Sequence, residues 1–191
     1  MVELVILVGP PGSGKSSVGR ELADRLGVAF RDTDQDIETS TGRAVSDIFI
    51  ESGEAAFRDL EQAAVKRAVT NHKGVLALGG GAVLSPHTRE LLVGRHVVFL
   101  DVGLAEAMRR LEMNRSRPLL LGNVRGQWQA LANARRPLYN EVAVQTVVTD
   151  GLTPAQVAEL IADHAGSTDH AQSTDRAGST DPAASTDQEQ L

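Results

Sequence analysis

The stretch Gly9-Pro10-Pro11-Gly12-Ser13-Gly14-Lys15-Ser16 limits this chain more than any other. It fits G-x-x-x-x-G-K-[ST], the loop whose backbone cradles nucleotide phosphates. Such a loop works only between a strand that delivers it and a helix that leaves it, because bare N–H groups and a helix N-terminus must converge on the anion. Both flanks comply. Glu3 to Val8 is a short, largely aliphatic run suited to a buried strand, and Val18, Leu22 and Leu26 recur every four residues as one face of a helix. The glycines let backbone approach phosphate oxygen, Lys15 brings a point charge to the terminal phosphates, and Ser16 offers a hydroxyl to Mg²⁺. A glycine-rich turn that binds nothing is the bland alternative, and it leaves the full eight-residue match unexplained.

Further strands are expected at Val28–Arg31, Gly74–Leu78, His96–Asp101 and Val144–Thr149, with helical patterns between them. The alternation predicts a parallel sheet with helices on both faces, and 191 residues suffice for one such domain. The second strand runs into Asp32-Thr33-Asp34. If extended, its two carboxylates point the same way, towards the crevice where open α/β sheets bind ligands. One could then serve Mg²⁺ and the other orient or deprotonate an acceptor hydroxyl, whereas a solvated loop is the alternative.

A short polar helix is expected from Asp36 to Thr41, and a longer one from near Gly53 with Phe57, Leu60, Ala64, Ala68 and Val69 inward. Arg58 and Glu61 lie one turn apart on another side, a spacing that by itself reads as a surface ion pair worth well under about 1 kcal/mol. The third strand ends in Gly79-Gly80-Gly81, which costs backbone entropy without contributing packing and so implies some close approach. From Asn114 to about Arg125 the periodicity lapses around Arg115, Arg117 and Pro118, as expected of a mobile loop between two helices. Trp128, Leu131 and Ala132 form an apolar stripe on the helix that follows, which closes on Arg135-Arg136-Pro137-Leu138-Tyr139. Thr153-Pro154 opens a last amphipathic helix.

Beyond His164 a six-residue repeat, Ala-x-Ser-Thr-Asp-x, carries no large apolar residue and is expected to be disordered, since nothing offsets the entropy of ordering it. That tail holds −4 of the net −6, so the body is only slightly acidic and lacks the basic stripe of a nucleic-acid surface. Its cations are nonetheless bunched: Arg109, Arg110, Arg115, Arg117, Arg125, Arg135 and Arg136 share one stretch, against three lysines in the whole chain. Arginine's rigid fork suits phosphate and carboxylate. No cysteine supports a disulfide or a thiolate metal site, the five histidines have no ligand spacing, and no apolar run suggests a signal peptide or a membrane span. A soluble cytoplasmic protein is the expectation.

Taken in order, the phosphate loop at 9–16, Asp32-Thr33-Asp34, Phe57-Arg58-Asp59-Leu60-Glu61, Gly79-Gly80-Gly81-Ala82, Arg117-Pro118-Leu119-Leu120 and Arg135-Arg136-Pro137-Leu138-Tyr139 resemble the shikimate kinases. The resemblance spans most of residues 1–164, with a lid at about 113–125 and 165–191 as the tail. It implies a three-layer αβα P-loop kinase fold with a five-stranded parallel sheet in order 2-3-1-4-5 and a mobile lid. It also implies ATP and Mg²⁺, with phosphoryl transfer to the 3-hydroxyl of shikimate on the route to aromatic amino acids. On the same ground Asp34 is the candidate base, with Lys15 and the lid residue Arg117 as catalytic partners. Gly12, Ser13, Gly14, Lys15, Ser16, Ser17, Arg110 and Arg117 would hold the nucleotide, with Arg110 beside the adenine, and Ser16 and Asp32 would serve Mg²⁺. Shikimate would be held by Asp34, Arg58, Gly80, Gly81 and Arg135. The spacing to Pro137 and Tyr139 selects Arg135 over Arg136, which is expected to be solvated. Many relatives carry an arginine before the last helix that covers the adenine, whereas this chain has Gly151-Leu152-Thr153-Pro154. A monomer without nucleic-acid or membrane partners is the family expectation. A gluconate kinase and a slow nucleotide switch are the alternatives. The first leaves the triple glycine and R-x-P-L-Y without a purpose, and the second has no need of two carboxylate-binding arginines.

Overall fold

The computed structural model describes residues 4–113 and 123–163. Its frame is a parallel sheet of five strands: β1 (Val5–Val8), β2 (Phe30–Asp32), β3 (Val75–Ala77), β4 (His96–Asp101) and β5 (Gln145–Val148). The strand order is β2-β3-β1-β4-β5, with β1 paired in parallel to both β3 and β4. The parallel sheet matches the expectation from the sequence pattern, and its order is the one the resemblance implies. Because β1 is central and buried along its whole length, the loop that leaves it opens at the point where strand order reverses, the usual crevice of such sheets.

Alternate residues of each strand face opposite ways, which gives the sheet two cores. On one face Ile6, Val8, Leu76, Val97 and Phe99 pack against α3 (Val45–Asn71), α4 (Pro86–Leu92) and α6 (Val124–Val142). On the other, Val5, Leu7, Val75, Val98 and Leu100 meet α1 (Lys15–Leu26) and α7, residues 154–163. Helices on both faces make the three layers. Two smaller clusters flank the sheet's C-terminal edge. One joins α2 (Thr33–Thr41) to α3 through Ile37, Ile48, Phe57 and Ala64. The other joins α5 (Leu104–Met113) to α6 through Met108, Trp128 and Ala132.

Three local expectations need correction. The short helix begins at Thr33 instead of Asp36, because the Asp32 carboxylate accepts from Asp34 N–H at 3.0 Å and caps it. The Asp32-Thr33-Asp34 segment is therefore a strand end turning directly into a helix, and the two carboxylates do not alternate along an extended chain. The helix expected from Gly53 is the second part of α3, which runs from Val45 with a break at Gly53 (φ 83°, ψ 168°), a conformation open to glycine. The helix expected to close on Arg135 to Tyr139, α6, continues through Pro137 to Val142. The expected lid residues 114–122, with Arg115 and Arg117, and the tail lie outside the described residues.

Candidate active site

The phosphate loop joins β1 to α1 and takes its shape from glycine. Gly14, the residue before α1, has φ 93°, which puts the first helical N–H groups at the loop's mouth. Lys15 Nζ reaches back to the carbonyls of Gly9 (2.8 Å) and Pro10 (3.2 Å), so its charge is held over the same mouth. Ser16 Oγ donates to Asp32 Oδ2 at 2.7 Å. A hydroxyl and a carboxylate side by side next to a phosphate loop are the hard oxygen donors that Mg²⁺ takes, and the remaining positions fall to phosphate and water.

The cleft above the loop has a volume of about 700 Å³. The loop, with Gly12, Gly14, Lys15, Ser16 and Ser17, forms one wall, and Asp32, Asp34 and Gly80 lie at one end. Arg110, Thr149 and Leu152 to Pro154 line the other end. Ser13, fully buried, is not part of the lining.

Asp34 is positioned from behind. Gly79 N–H donates to the buried Thr33 hydroxyl at 3.0 Å, tying the end of β3 to the first turn of α2. Thr33 stands in the sequence only as the residue between the two aspartates, and its tie to Gly79 appears only in the fold. Each glycine of the triplet faces a different group. A Cβ on Gly79 would fall 2.6 Å from both Asp34 Oδ1 and Glu61 Oε1, and one on Gly81 would fall 2.6 Å from Arg58 Cζ. The Gly80 carbonyl accepts from Arg135 Nη1 (3.0 Å) and from Tyr139 Oη (2.6 Å). Burial pushes the Tyr139 phenol up to about 12, so it donates as a neutral hydroxyl. The triple glycine therefore gathers Asp34, Glu61, Arg58 and Arg135, although neither arginine lines the cleft itself.

Arg58 and Glu61 are not a surface pair. Glu61 is only 3 % exposed, because the kinked α3 turns this side towards the end of β3. Arg58 Nη1 donates to its Oε2 at 2.5 Å, while Arg58 Nε and Nη2 donate to Glu54 Oε1 at 3.3 and 3.0 Å. Glu61 Oε1 has no hydrogen-bond partner among the described residues. Burial raises the Glu61 carboxyl above its ordinary range, the Arg58 charge opposes this, and the nearby Asp34 charge adds to it.

Arg136 is not simply solvated. It pairs with Asp101 at the end of β4 while its neighbour Arg135 turns to Gly80 at the end of β3. Consecutive helical residues point about 100° apart, so one turn of α6 serves two strands. Arg110 is tied down from several sides: Nε donates to Glu106, Nη1 to the Gly12 and Ser13 carbonyls and the Thr149 hydroxyl, and Nη2 to Thr149 O at 2.6 Å. Thr149 had no signal in the sequence beyond its place at the end of the expected fifth strand, and it lies just past β5.

Residues 11–165 match the shikimate kinase family model. The chain is 54 % identical over 160 residues to the shikimate kinase of Streptomyces coelicolor, covering 84 % of this chain and 94 % of that one. It is 55 % identical over 162 residues to the enzyme of Salinispora tropica, covering 85 % and 97 %. Among solved structures, the shikimate kinase of Acinetobacter baumannii in complex with shikimate superposes with a TM-score of 0.84 at 36 % identity, covering 88 % of this chain and 95 % of that one. The deoxyadenosine kinase of M. mycoides, at 16 % identity and a TM-score of 0.58, shares the fold.

Proposed function

The chain belongs to the shikimate kinase family, whose members are ATP-dependent kinases, and we propose roles for the residues around its cleft in that reaction. The γ-phosphoryl group of ATP passes to the 3-hydroxyl of shikimate, giving shikimate 3-phosphate and ADP. One observation carries the assignment: Asp34 and the phosphate loop line the same cleft, and the glycine triplet behind Asp34 is flanked by two arginines.

The nucleotide phosphates lie on Gly12 and on Gly14 to Ser17, with Lys15 charge on the terminal phosphates. Ser16 and Asp32 would hold Mg²⁺, which when bound neutralises charge developing on the phosphoryl oxygens. Asp34 accepts the proton of the 3-hydroxyl as its oxygen bonds to phosphorus and the bond to the ADP oxygen breaks. Arg58 and Arg135 hold the shikimate carboxylate, beside the backbone of Gly80 and Gly81. Glu54 and Glu61 take three of the five Arg58 N–H groups, leaving one on each terminal nitrogen, the fork that a carboxylate fits in bidentate fashion. Glu61 thus orients Arg58. Arg117, on the lid at about 113–125, brings a further charge to the transferring phosphoryl, and Arg110 borders the adenine end.

The working unit is residues 1–164, acting as a cytoplasmic monomer without nucleic-acid or membrane partners; among the described residues no helix is long and apolar enough to cross a membrane. A chain ending at residue 164 is expected to keep full turnover, and a large loss would give the tail a part in catalysis. The decisive experiment mixes the purified protein with ATP, Mg²⁺ and shikimate and follows ADP and the phosphorylated acid by mass. Turnover on gluconate but not on shikimate would refute the acceptor.

A further inference from the structure

Trp128 is the chain's sole tryptophan, and its place on α6 marks it only as part of an apolar stripe. In the fold it is 2 % exposed, packed with Val102, Ala107, Met108 and Ala132 between α5 and α6. A buried indole needs a partner for its N–H. Its partner lies 117 residues away in sequence: Nε1 donates to the Pro11 carbonyl of the phosphate loop at 2.9 Å.

The direction of that bond matters for anion binding. The Pro11–Gly12 peptide is planar and trans, so its C=O and N–H point opposite ways. With the carbonyl held outward on Trp128, the Gly12 N–H is turned away from α6 and into the loop. Gly12 has φ 82° and packs against Ala107, with the Ala107 carbonyl 3.0 Å from where a Cβ would sit. Glycine has no side chain to resist a peptide flip, and a flip would turn a carbonyl oxygen towards the phosphate. The Ser13 N–H is already used within the loop, on Pro10 O at 3.2 Å, so the remaining peptide orientations matter more. Arg110 holds the Ser13 carbonyl at 3.3 Å from the α5 side and aims the Gly14 N–H by the same geometry.

We propose that Trp128 is a positioning residue for the phosphate loop: its indole N–H fixes the Pro11–Gly12 peptide so that Gly12 N–H faces the nucleotide phosphates. The inference rests on the nucleotide half of the function above and not on the identity of the acceptor.

Because there is one tryptophan, global replacement by 3-benzothienylalanine, which has sulfur where the indole has N–H, alters this one group in the full-length chain and keeps the ring shape. ADP binding is measured by calorimetry without shikimate, shikimate binding without nucleotide, and melting temperature alongside; Trp128→Phe is treated in the same way. ADP affinity is expected to fall about 3- to 10-fold, as for one lost hydrogen bond, with shikimate binding unchanged. A lower melting temperature with unchanged ADP affinity would overturn the proposal and leave Trp128 as core filling. An equal loss of both affinities would overturn it too. If the unaltered protein binds no shikimate, the acceptor assignment fails while the ADP comparison still decides the role of Trp128.

Discussion

Replacing Gly79 by alanine tests the site with a single added methyl group. Gly79 is not among the glycines with positive φ, so alanine meets no backbone strain there and the effect is steric. The new Cβ would sit 2.6 Å from both Asp34 Oδ1 and Glu61 Oε1, about 0.8 Å inside the ordinary contact limit of 3.4 Å. Neither oxygen yields freely. Asp34 lies in the first turn of a capped helix, and Glu61 is buried on Arg58. Overpacking of this kind costs about 1–3 kcal/mol, a fall of several degrees in melting temperature for a chain of this size. Displacing a proton acceptor by nearly 1 Å costs more in rate than in stability, on the order of 30- to 100-fold in kcat. Gly80→Ala is the internal control for stability alone, because its nearest protein neighbours, Gly9 O and Pro11 Cδ, lie at 3.4 Å and need not move, whereas its turnover also depends on the acceptor beside it. Steady-state ADP release and thermal unfolding of both variants provide the measurement. If Gly79→Ala keeps kcat within about twofold of the parent, or if Gly80→Ala loses more thermal stability than Gly79→Ala, the glycine triplet does not position Asp34 as argued.

Other substitutions separate the remaining roles. Asp34→Asn keeps size and hydrogen bonding but accepts no proton, and should lower kcat by about 10² to 10⁴ with ATP binding unchanged in calorimetry; substantial turnover would take Asp34 out of proton transfer. Arg135→Ala should raise KM for shikimate about 10- to 100-fold, as for a lost charge-assisted contact, while Arg136→Ala mainly lowers melting temperature through the Asp101 pair; the reverse ranking would show that Arg136 grips the acceptor. Glu61 governs a pH effect. Its carboxyl is raised in the folded state, so its contribution to stability is full below its ordinary value of 4.5 and is lost as pH rises through the raised value. The stability of Glu61→Gln should therefore gain on that of the parent as pH rises from about 4.5 towards neutrality, and parallel curves would mean that the Glu61 carboxyl is not perturbed.

Much of this arrangement is legible along the chain, because it is written in local spacing. The eight residues of the phosphate loop specify a strand before them and a helix after them, and the succession of apolar runs predicts the sheet. The glycines at 79–81 announce a close approach by costing entropy with no packing in return. What the chain cannot announce is which group comes close. Glu61 reads as half of a surface ion pair until the bend at Gly53 and the end of β3 bury it beside Asp34. Arg135 and Arg136 are adjacent and chemically identical in sequence. Helical geometry sends one to Gly80, just past β3, and the other to Asp101 at the end of β4. Trp128 looks like core until α6 is laid beside a loop 117 residues away. Periodicity and turn chemistry act over a few residues and so are fixed by sequence alone. Burial, charge pairing and the direction of a peptide plane depend on segments far apart in the chain, and only the packed structure decides them.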